Sequence, residues 1–236
     1  MMQGVIIKGL VNPTKGPFMD SQSVVYVVDD DPDARHVLVT LAESMFHKTE
    51  AFADAADFLK SFDERTPSCL VTDMRMRGMS GLDLLRTLKA SGKVVPTIIV
   101  TGYAETAVAV DAMLTGAVTF LEKSTPPHKI CEAIARALSL SETLLEQKAE
   151  RDRVLQISDS LSEDERQILK LVAAGRLNKE IAFEIGIPLR TLEDRKRRLM
   201  TKVNADSVAD LIRFSIRVEE FEHSTAADLL WNQRSS

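Results

Sequence analysis

Residues 24–31 read Val-Val-Tyr-Val-Val-Asp-Asp-Asp, an apolar run that ends in three acids. The apolar part is short and rich in β-branched side chains, which is typical of a strand buried within a parallel sheet. Similar runs recur along the chain, and the one at residues 48–52 is weaker. The sequence therefore predicts five strands, at residues 24–28, 48–52, 69–72, 98–100 and 118–121.

Segments with helical spacing of apolar residues separate these strands, at residues 33–45, 55–62, 81–90 and 106–114. Strands that alternate with helices predict a doubly wound α/β domain, because each parallel crossover needs a helix on a face of the sheet. After Pro126 and Pro127 the pattern becomes helical only. We expect an amphipathic helix there, followed by a charged helical linker and a second, all-α domain.

The pattern divides the chain into five parts. Gly175, the turn sequence Gly186-Ile187-Pro188 and Asn204 separate the short helices of the second domain. Ser162 and Glu165 have the spacing of a capping box at the start of the first of these helices. The predicted parts are an N-terminal tail (1–22), the α/β domain (23–140), a helical linker (141–158), the all-α domain (159–218) and a C-terminal tail (219–236).

Charge and apolar content limit the class of protein. The net charge is −5, yet residues 190–202 are strongly basic, which indicates a polyanionic partner at that segment alone. No apolar run is long enough to span a bilayer. Residues 4–11 lack the basic leader of a signal peptide, and Cys69 and Cys131 lie in apolar stretches typical of reduced thiols. We therefore expect a cytoplasmic protein that has no membrane partner.

Polar residues follow the predicted strands where those strands end. The carboxyl ends of parallel strands form the ligand-binding edge of such a sheet. Crowded carboxylates repel one another unless a cation neutralises them, and Mg²⁺ is commonly held by one or two carboxylates, water and a phosphate. A lysine and a threonine hydroxyl supply donors for phosphoryl oxygens. The residues of this edge are Asp29, Asp30, Asp73, Thr101 and Lys123.

Each of these residues also has an ordinary interpretation. An acid after a strand is commonly the N-cap of the next helix, and Asp31, which precedes Pro32, has that position. A single lysine near a strand end is usually solvated. The occurrence of the whole set at successive strand ends favours a binding site over unrelated residues.

The all-α domain contains two helices joined by a short turn. Residues 178–182 begin the first of them, and a basic helix follows over residues 191–202. Leu192, Leu199 and Val203 form the inward face of that helix, so its basic residues point outward. Exposed basic residues are commonly only solvated, but a basic helix directly after such a turn is typical of a helix-turn-helix that binds double-stranded DNA.

These motifs resemble those of a known family, the two-component response regulators. Residues 23–140 resemble the receiver domain, and residues 161–217 resemble the LuxR-type helix-turn-helix. The domain order resembles the NarL/FixJ family, and FixJ-like regulators most of all. The resemblance implies a flavodoxin-like (CheY-like) five-stranded receiver followed by an all-α helix-turn-helix domain, in a protein that is not an enzyme. The segments that carry it are Val27-Val28-Asp29-Asp30-Asp31, Val71-Thr72-Asp73-Met74-Arg75-Met76, Met79-Ser80-Gly81, Val100-Thr101-Gly102, Phe120-Leu121-Glu122-Lys123, Asn178-Lys179-Glu180-Ile181-Ala182 and Leu189-Arg190-Thr191-Leu192-Glu193.

The resemblance implies a role for each residue of the acidic edge. Asp73 would accept a phosphoryl group from a sensor histidine kinase. Mg²⁺ would be bound directly by Asp30, by Asp73 and by the backbone carbonyl of Arg75, and through a water molecule by Asp29. The residues that respond to the phosphoryl group would be Lys123, which pairs with it, Thr101, which hydrogen-bonds it, and Phe120, the aromatic switch.

For a regulator of this kind, phosphorylation would free the DNA-binding domain or promote a homodimer through the last helices of the receiver. Two paired recognition helices would then favour a roughly palindromic DNA site. Glu193, Asp194 and Arg197 match positions that face the bases, where Arg197 suits guanine and Glu193 suits cytosine. Phosphate contacts, which position without specifying, are expected from a larger set. That set is Asn178, Lys179, Arg190, Thr191, Lys196, Arg198 and Lys202.

The chain departs from the family at three positions. Arg77 stands where a proline usually follows the methionine of the phosphorylation loop, and its side chain has the reach to contact the pocket or a partner. Ser124 stands where the family usually has a proline after the lysine, commonly with a cis peptide. A cis bond without proline costs about 2.5–4 kcal/mol, so we expect a trans bond here. Arg195 stands where a histidine is common.

Three functions compete at this point. The first is a transcription regulator switched by phosphorylation. The second is a metal-dependent phosphohydrolase with an aspartate nucleophile, which the basic helix and the lack of a substrate-capping insertion oppose. The third is a DNA-binding regulator with a degenerate receiver that acts without phosphorylation, which the complete set of pocket residues opposes and the two missing prolines favour.

Overall fold

The computed structural model describes residues 23–45, 47–102 and 106–223, so the predicted N-terminal tail and residues 224–236 lie outside the described residues. In the first domain, strands and helices alternate from the start. The elements are β1 (Val24–Val28), α1 (Pro32–Ser44), β2 (Lys48–Phe52), α2 (Ala55–Ser61), β3 (Ser68–Thr72), α3 (Gly81–Ala90), β4 (Thr97–Thr101), α4 (Thr106–Thr115), β5 (Thr119–Glu122), α5 (Pro127–Asp159), α6 (Glu163–Ala173), α7 (Asn178–Ile185), α8 (Leu189–Val203) and α9 (Val208–Glu222).

The five strands form one parallel sheet in the order β2-β1-β3-β4-β5. This order confirms the doubly wound α/β fold expected from the alternation. Every residue of β1, β3 and β4 is buried, as the continuous apolar runs predicted. Val28 pairs with Thr72 across β1 and β3, and the N–H of Asp73 donates to the carbonyl of Val28 at 2.9 Å. The two strands therefore end side by side.

Alternate residues of β1 pack into different cores on the two faces of the sheet. Val25 and Val27 pack in a cluster with Leu38 of α1 and Ile134 of α5. Tyr26, on the opposite face, belongs to a cluster that includes residues of α2 and α3. Full burial of one such side chain contributes about 1.5–3 kcal/mol, so both faces hold the strand ends in place.

Helix α5 extends the last helix of the α/β domain without a break from Pro127 to Asp159. The residues predicted as a helical linker, 141–158, are therefore part of this one helix. The chain divides into two compact units within α5: the unit that contains the sheet runs to Glu142, and the helical unit begins at Thr143. The peptide bond between Lys123 and Ser124, which precedes this helix, is trans as expected.

The helical unit packs α6 to α9 around a core that contains Ile168, Leu192, Leu199 and Leu211. Its capping box is confirmed: the N–H of Glu165 donates to Ser162 Oγ at 3.3 Å, and the N–H of Ser162 donates to the Glu165 carboxylate at 2.8 Å. Helix α8 begins at residue 189, two residues before the predicted start, and α9 runs past the predicted domain end to residue 222. Over the described ranges, no helix combines the length with the apolar character needed to cross a bilayer.

Gly81 opens α3 directly behind the loop that follows β3. Its N–H donates to the carbonyl of Met74 at 3.1 Å. A Cβ at this position would collide with the backbone carbonyl of Asp73 and would lie 3.2 Å from Cγ2 of Thr72. No side chain larger than hydrogen fits here unless the loop that carries Asp73 moves.

We expect Gly81→Ala to lower the free energy of unfolding of the α/β unit by about 1–3 kcal/mol, the usual cost of overpacking against groups that cannot yield. Gly102→Ala is the matched control, since a Cβ there meets nothing within 4 Å. Urea denaturation of the full chain, followed by circular dichroism, measures both variants. Equal stability of the Gly81 and Gly102 variants would contradict the close approach of Gly81 to the Asp73 backbone.

Candidate functional site

Three aspartates converge at the carboxyl edge of the sheet. Asp29 and Asp30 follow β1 and Asp73 follows β3, and one carboxylate oxygen from each lies within 4.8 Å of the others. Asp29 is fully buried and Asp73 is 7% exposed. Asp31 does not join this group, because its side chain accepts hydrogen bonds from the N–H groups of residues 33 and 34 and caps α1. The ordinary interpretation of Asp31 is therefore confirmed.

Lys123 brings a positive charge to these acids from the end of β5. Its Nζ lies 2.7 Å from Oδ2 of Asp29 and 3.7 Å from Oδ2 of Asp73. Partial burial disfavours the charged ammonium, but the contacts with Asp29 and Asp73 outweigh it and raise the pKa of Lys123 above its ordinary value. The ammonium thus stays charged and attracts both carboxylates.

Asp73 is the acid with the most unusual surroundings. Within the described part of the chain, its buried Oδ1 has no hydrogen-bond partner. Burial raises the pKa of its carboxyl above the ordinary value, an effect that Lys123 opposes and Asp29 reinforces. Three carboxylates outnumber the cationic side chains beside them, and a divalent cation would offset the excess negative charge. The donor set, all hard oxygens, fits Mg²⁺.

The other predicted pocket residues lie on neighbouring strands. Thr101 ends β4 and is buried, and its carbonyl accepts a hydrogen bond of 2.8 Å from the backbone N–H of Lys123. Phe120 pairs with Ile99 across β4 and β5 and packs, half-buried, against the cluster that contains Met74. Thr101 therefore lies at the same edge of the sheet as the acids, whereas Phe120 lies two residues before the end of β5. The predicted ligand carbonyl of Arg75 belongs to the loop just after Asp73.

Two contacts of this site involve arginines. Arg35 of α1 donates from Nη1 to the backbone carbonyl of Asp29 at 2.7 Å, and no sequence motif identifies this contact. Arg77 lies beside Asp30: its backbone N–H donates to Oδ2 at 3.2 Å, and its Nε lies 3.7 Å from the same oxygen. The sequence pointed to this second contact, because Arg77 stands where the family pattern has a proline.

The predicted DNA-binding residues cluster on α8 and on the start of α7. Leu192, Leu199 and Val203 are buried, which confirms the inward face of α8. The residues of the predicted set that are exposed are Lys179, Arg190, Glu193, Asp194, Arg197, Arg198 and Lys202, while Asn178, Thr191 and Lys196 are half-buried. A basic, solvent-facing helix is therefore present where the sequence predicts it.

Several of these residues have partners within the protein. Lys196 Nζ donates to Oδ1 of Asn178 at 3.1 Å, which joins α8 to α7, and Arg197 pairs with Asp194 at 3.2 Å. Lys202 Nζ donates to the carbonyl of Ser160 at 2.7 Å and to the carboxylate of Glu165 at 2.8 Å. Lys202 therefore ties α8 to the start of α6, a structural role that the sequence did not predict for it.

The pair between Lys202 and Glu165 also affects the carboxyl group. The hydrogen bond from Lys202 lowers the pKa of Glu165, and the backbone N–H of Ser162 adds to this effect. Arg195, the third departure from the family pattern, forms an ion pair with Asp164. The first turn of α6 is thus held to α8 by two ion pairs.

An acid cluster at the carboxyl edge of a flavodoxin-like sheet, joined to a basic helix-turn-helix, defines a DNA-binding regulator with a receiver-type input domain. The family model "Response regulator receiver domain" matches residues 25–135, and "Bacterial regulatory proteins, luxR family" matches residues 159–215. The response regulator protein TodT of Pseudomonas putida is 35% identical over 204 residues, which cover 85% of this chain and 88% of that protein. The transcriptional regulatory protein FixJ of Azorhizobium caulinodans is 38% identical over 192 residues, 81% of this chain and 91% of the relative.

Two solved structures of similar proteins agree with these sequence matches. The response regulator StyR superposes with a TM-score of 0.77 at 34% identity, over 83% of this chain and 99% of that one. Full-length FixJ from B. japonicum gives a TM-score of 0.51 at 34% identity, over 85% of this chain and 99% of that one. The chain belongs to the NarL/FixJ family of two-component response regulators, with a receiver domain followed by a LuxR-type DNA-binding domain.

Removal of the Lys123 charge should destabilise the α/β unit. In metal-free buffer we expect Lys123→Met to lower the free energy of unfolding by about 2 kcal/mol, less than the ~3–5 kcal/mol of a fully buried pair because Lys123 is 28% exposed. Mg²⁺ should raise the melting temperature of this variant more than that of the unmodified protein, since the ion supplies the missing positive charge. Thermal melts with EDTA and with Mg²⁺ measure both effects.

Lys60→Met is the matched control, because Lys60 forms an ion pair with Asp57 and its side chain is 75% exposed. This variant should match the unmodified protein in both buffers. If Lys123→Met in EDTA also matches the unmodified protein, Lys123 does not neutralise the buried acids.

Proposed function

We propose that this DNA-binding transcription regulator is switched by transfer of a phosphoryl group from a sensor histidine kinase to Asp73. The observation that carries the proposal is the surroundings of Asp73: a buried carboxylate oxygen with no hydrogen-bond partner among the described residues, beside two further acids and the ammonium of Lys123. A nucleophile held in this way needs little reorganisation before attack.

The proposed step is an in-line displacement. The Asp73 carboxylate attacks phosphorus, a new O–P bond forms as the P–N bond of phosphohistidine breaks, and the imidazole leaves with the electron pair of that bond. Lys123 neutralises charge on the transferred group, because its ammonium already lies 3.7 Å from Asp73. Bound Mg²⁺, held by Asp30, Asp73 and the Arg75 carbonyl and through water by Asp29, would supply further positive charge to the phosphoryl oxygens.

The response to phosphorylation is assigned to Thr101 and Phe120. The phosphoryl group adds negative charge beside the buried Thr101, whose hydroxyl is a donor for the new oxygens. Phe120 is half-buried on the neighbouring strand, and we assign it the side-chain movement that follows a change at Thr101. Two arrangements of these side chains would then be populated differently in the two states of Asp73.

DNA binding is assigned to α8 within the major groove. Arg197 and Glu193 are the candidates for base contacts, and Arg190, Arg198 and Lys179 for phosphate contacts. A homodimer formed on phosphorylation would place two such helices on a roughly palindromic site and double the contacts. The cytoplasmic location stays a prediction.

Acetyl phosphate and Mg²⁺ should give the purified protein a single phosphoryl adduct and shift it towards a dimer. Intact mass and size-exclusion chromatography with light scattering provide the two measurements. Asp73→Asn should show neither change, whereas Asp57→Asn, which alters an exposed acid of the same unit, should show both.

An adduct that persists in Asp73→Asn would overturn the assignment of the acceptor. If the folded protein takes no phosphoryl group from acetyl phosphate or from a purified histidine kinase, the receiver is degenerate and DNA binding is controlled in another way.

Binding to a mixed-sequence DNA duplex should depend on the exposed charges of α8. We expect Arg198→Ala to weaken binding and to reduce the slope of log K against log salt concentration by about 0.9, the share of one phosphate contact. Arg213→Ala is the control, because Arg213 lies on α9 in an ion pair with Asp210. Fluorescence anisotropy at several salt concentrations gives the slopes. Equal slopes for all three proteins would remove Arg198 from the DNA interface.

A further inference from the structure

Arg77 makes a contact that the residue usual at its position could not make. Its backbone N–H donates to Oδ2 of Asp30 at 3.2 Å. Proline, the residue of the family pattern at this position, carries no backbone N–H. The hydrogen bond therefore exists here because the chain has a residue other than proline.

The side chain of Arg77 adds a second contact to the same oxygen, with Nε at 3.7 Å from Oδ2 of Asp30. Lys123 thus contacts Asp29 and Asp73, whereas Arg77 contacts Asp30. The Asp30 side chain is 26% exposed and belongs to the same cluster of oxygens as the other two acids.

We propose that Arg77 is a positioning residue that competes with Mg²⁺ for Asp30, so that the ion binds more weakly than it would with proline at this position. Binding of the ion then releases the loop residue Arg77 from Asp30. This inference rests on the proposed function, because it takes the acid cluster as the Mg²⁺ site.

The two contacts should differ in strength and in salt dependence. The Arg77 side chain is 97% exposed, so water and salt screen its charge and its removal should tighten Mg²⁺ binding only about two- to fivefold. The N–H contact is a short-range hydrogen bond to an ionised group, so its loss should tighten binding by a further factor on the order of five, with little dependence on salt.

Calorimetric titration of the metal-free, full-length protein with MgCl₂ tests the proposal. Arg77→Ala removes the guanidinium and keeps the N–H, whereas Arg77→Pro removes both, so the difference between these variants isolates the N–H. Arg65→Ala is the charge-matched control, since Arg65 is 89% exposed and pairs with Asp63 at the surface of the same unit. We expect Arg77→Pro to bind Mg²⁺ most tightly and Arg77→Ala to bind it less tightly. The unmodified protein and Arg65→Ala should bind it most weakly and with equal affinity.

The amide signal of Arg77 gives a second measurement that needs no variant. In ¹⁵N-resolved NMR spectra of the unmodified protein, addition of Mg²⁺ should move this signal towards the shift of an amide without its carboxylate partner, and its hydrogen exchange should become faster. If Arg77→Pro fails to fold, the Mg²⁺ affinity of Arg77→Ala and this amide signal still test whether Arg77 competes with Mg²⁺ for Asp30.

The outcomes separate the two proposals. The role of Arg77 would be overturned if the unmodified protein binds Mg²⁺, Arg77→Ala leaves that affinity unchanged or lowers it, and the Arg77 amide signal does not move. The metal site itself would then still stand. Absence of Mg²⁺ binding in the unmodified protein and in every variant would overturn both. Equal tightening in Arg77→Ala and Arg65→Ala would show a general charge effect and would also overturn the role of Arg77.

Discussion

The ammonium of Lys123 holds together two buried acids that would otherwise repel each other. Asp29 is fully buried and Asp73 nearly so, and burial of an unpaired charge costs several kcal/mol. The contact of 2.7 Å with Asp29 offsets part of that cost and ties the end of β5 to the end of β1. The fold tolerates an acidic edge because a cation from the last strand lies within it.

The same lysine connects the acids to the residues assigned to the switch. Its ammonium contacts Asp29 and Asp73, while its backbone N–H donates to the carbonyl of Thr101. A change in charge at Asp73 therefore acts on a residue that is hydrogen-bonded to β4, and β4 pairs with the strand that carries Phe120. This gives a physical route from the proposed phosphoryl acceptor to the aromatic side chain, in a core too densely packed to deform continuously.

Sequence patterns predicted the acid cluster because β1, β3 and β4 are buried runs rich in β-branched residues, and a polar residue ends or follows each of them. The capping box of Ser162 and Glu165 was equally accessible, since its spacing is local. Contacts between segments that are distant in the chain could not be predicted in this way. Neither the bond from Arg35 to the Asp29 carbonyl nor the use of Lys202 inside the protein follows from any periodicity. The early start of α8 was missed because Pro188 offers no side-chain cap to mark it.

Glu165 has consequences for how this domain can evolve. Its carboxylate completes the cap of α6 and also receives Lys202, which lies 37 residues further along the chain. A glutamine at this position would keep the cap but weaken the tie to α8, and an alanine would lose both. The effects of substitutions at positions 162, 165 and 202 on stability should therefore be coupled, because the three residues share one set of contacts. The helix that carries the proposed DNA-reading residues thus depends on a cap that lies outside its own sequence.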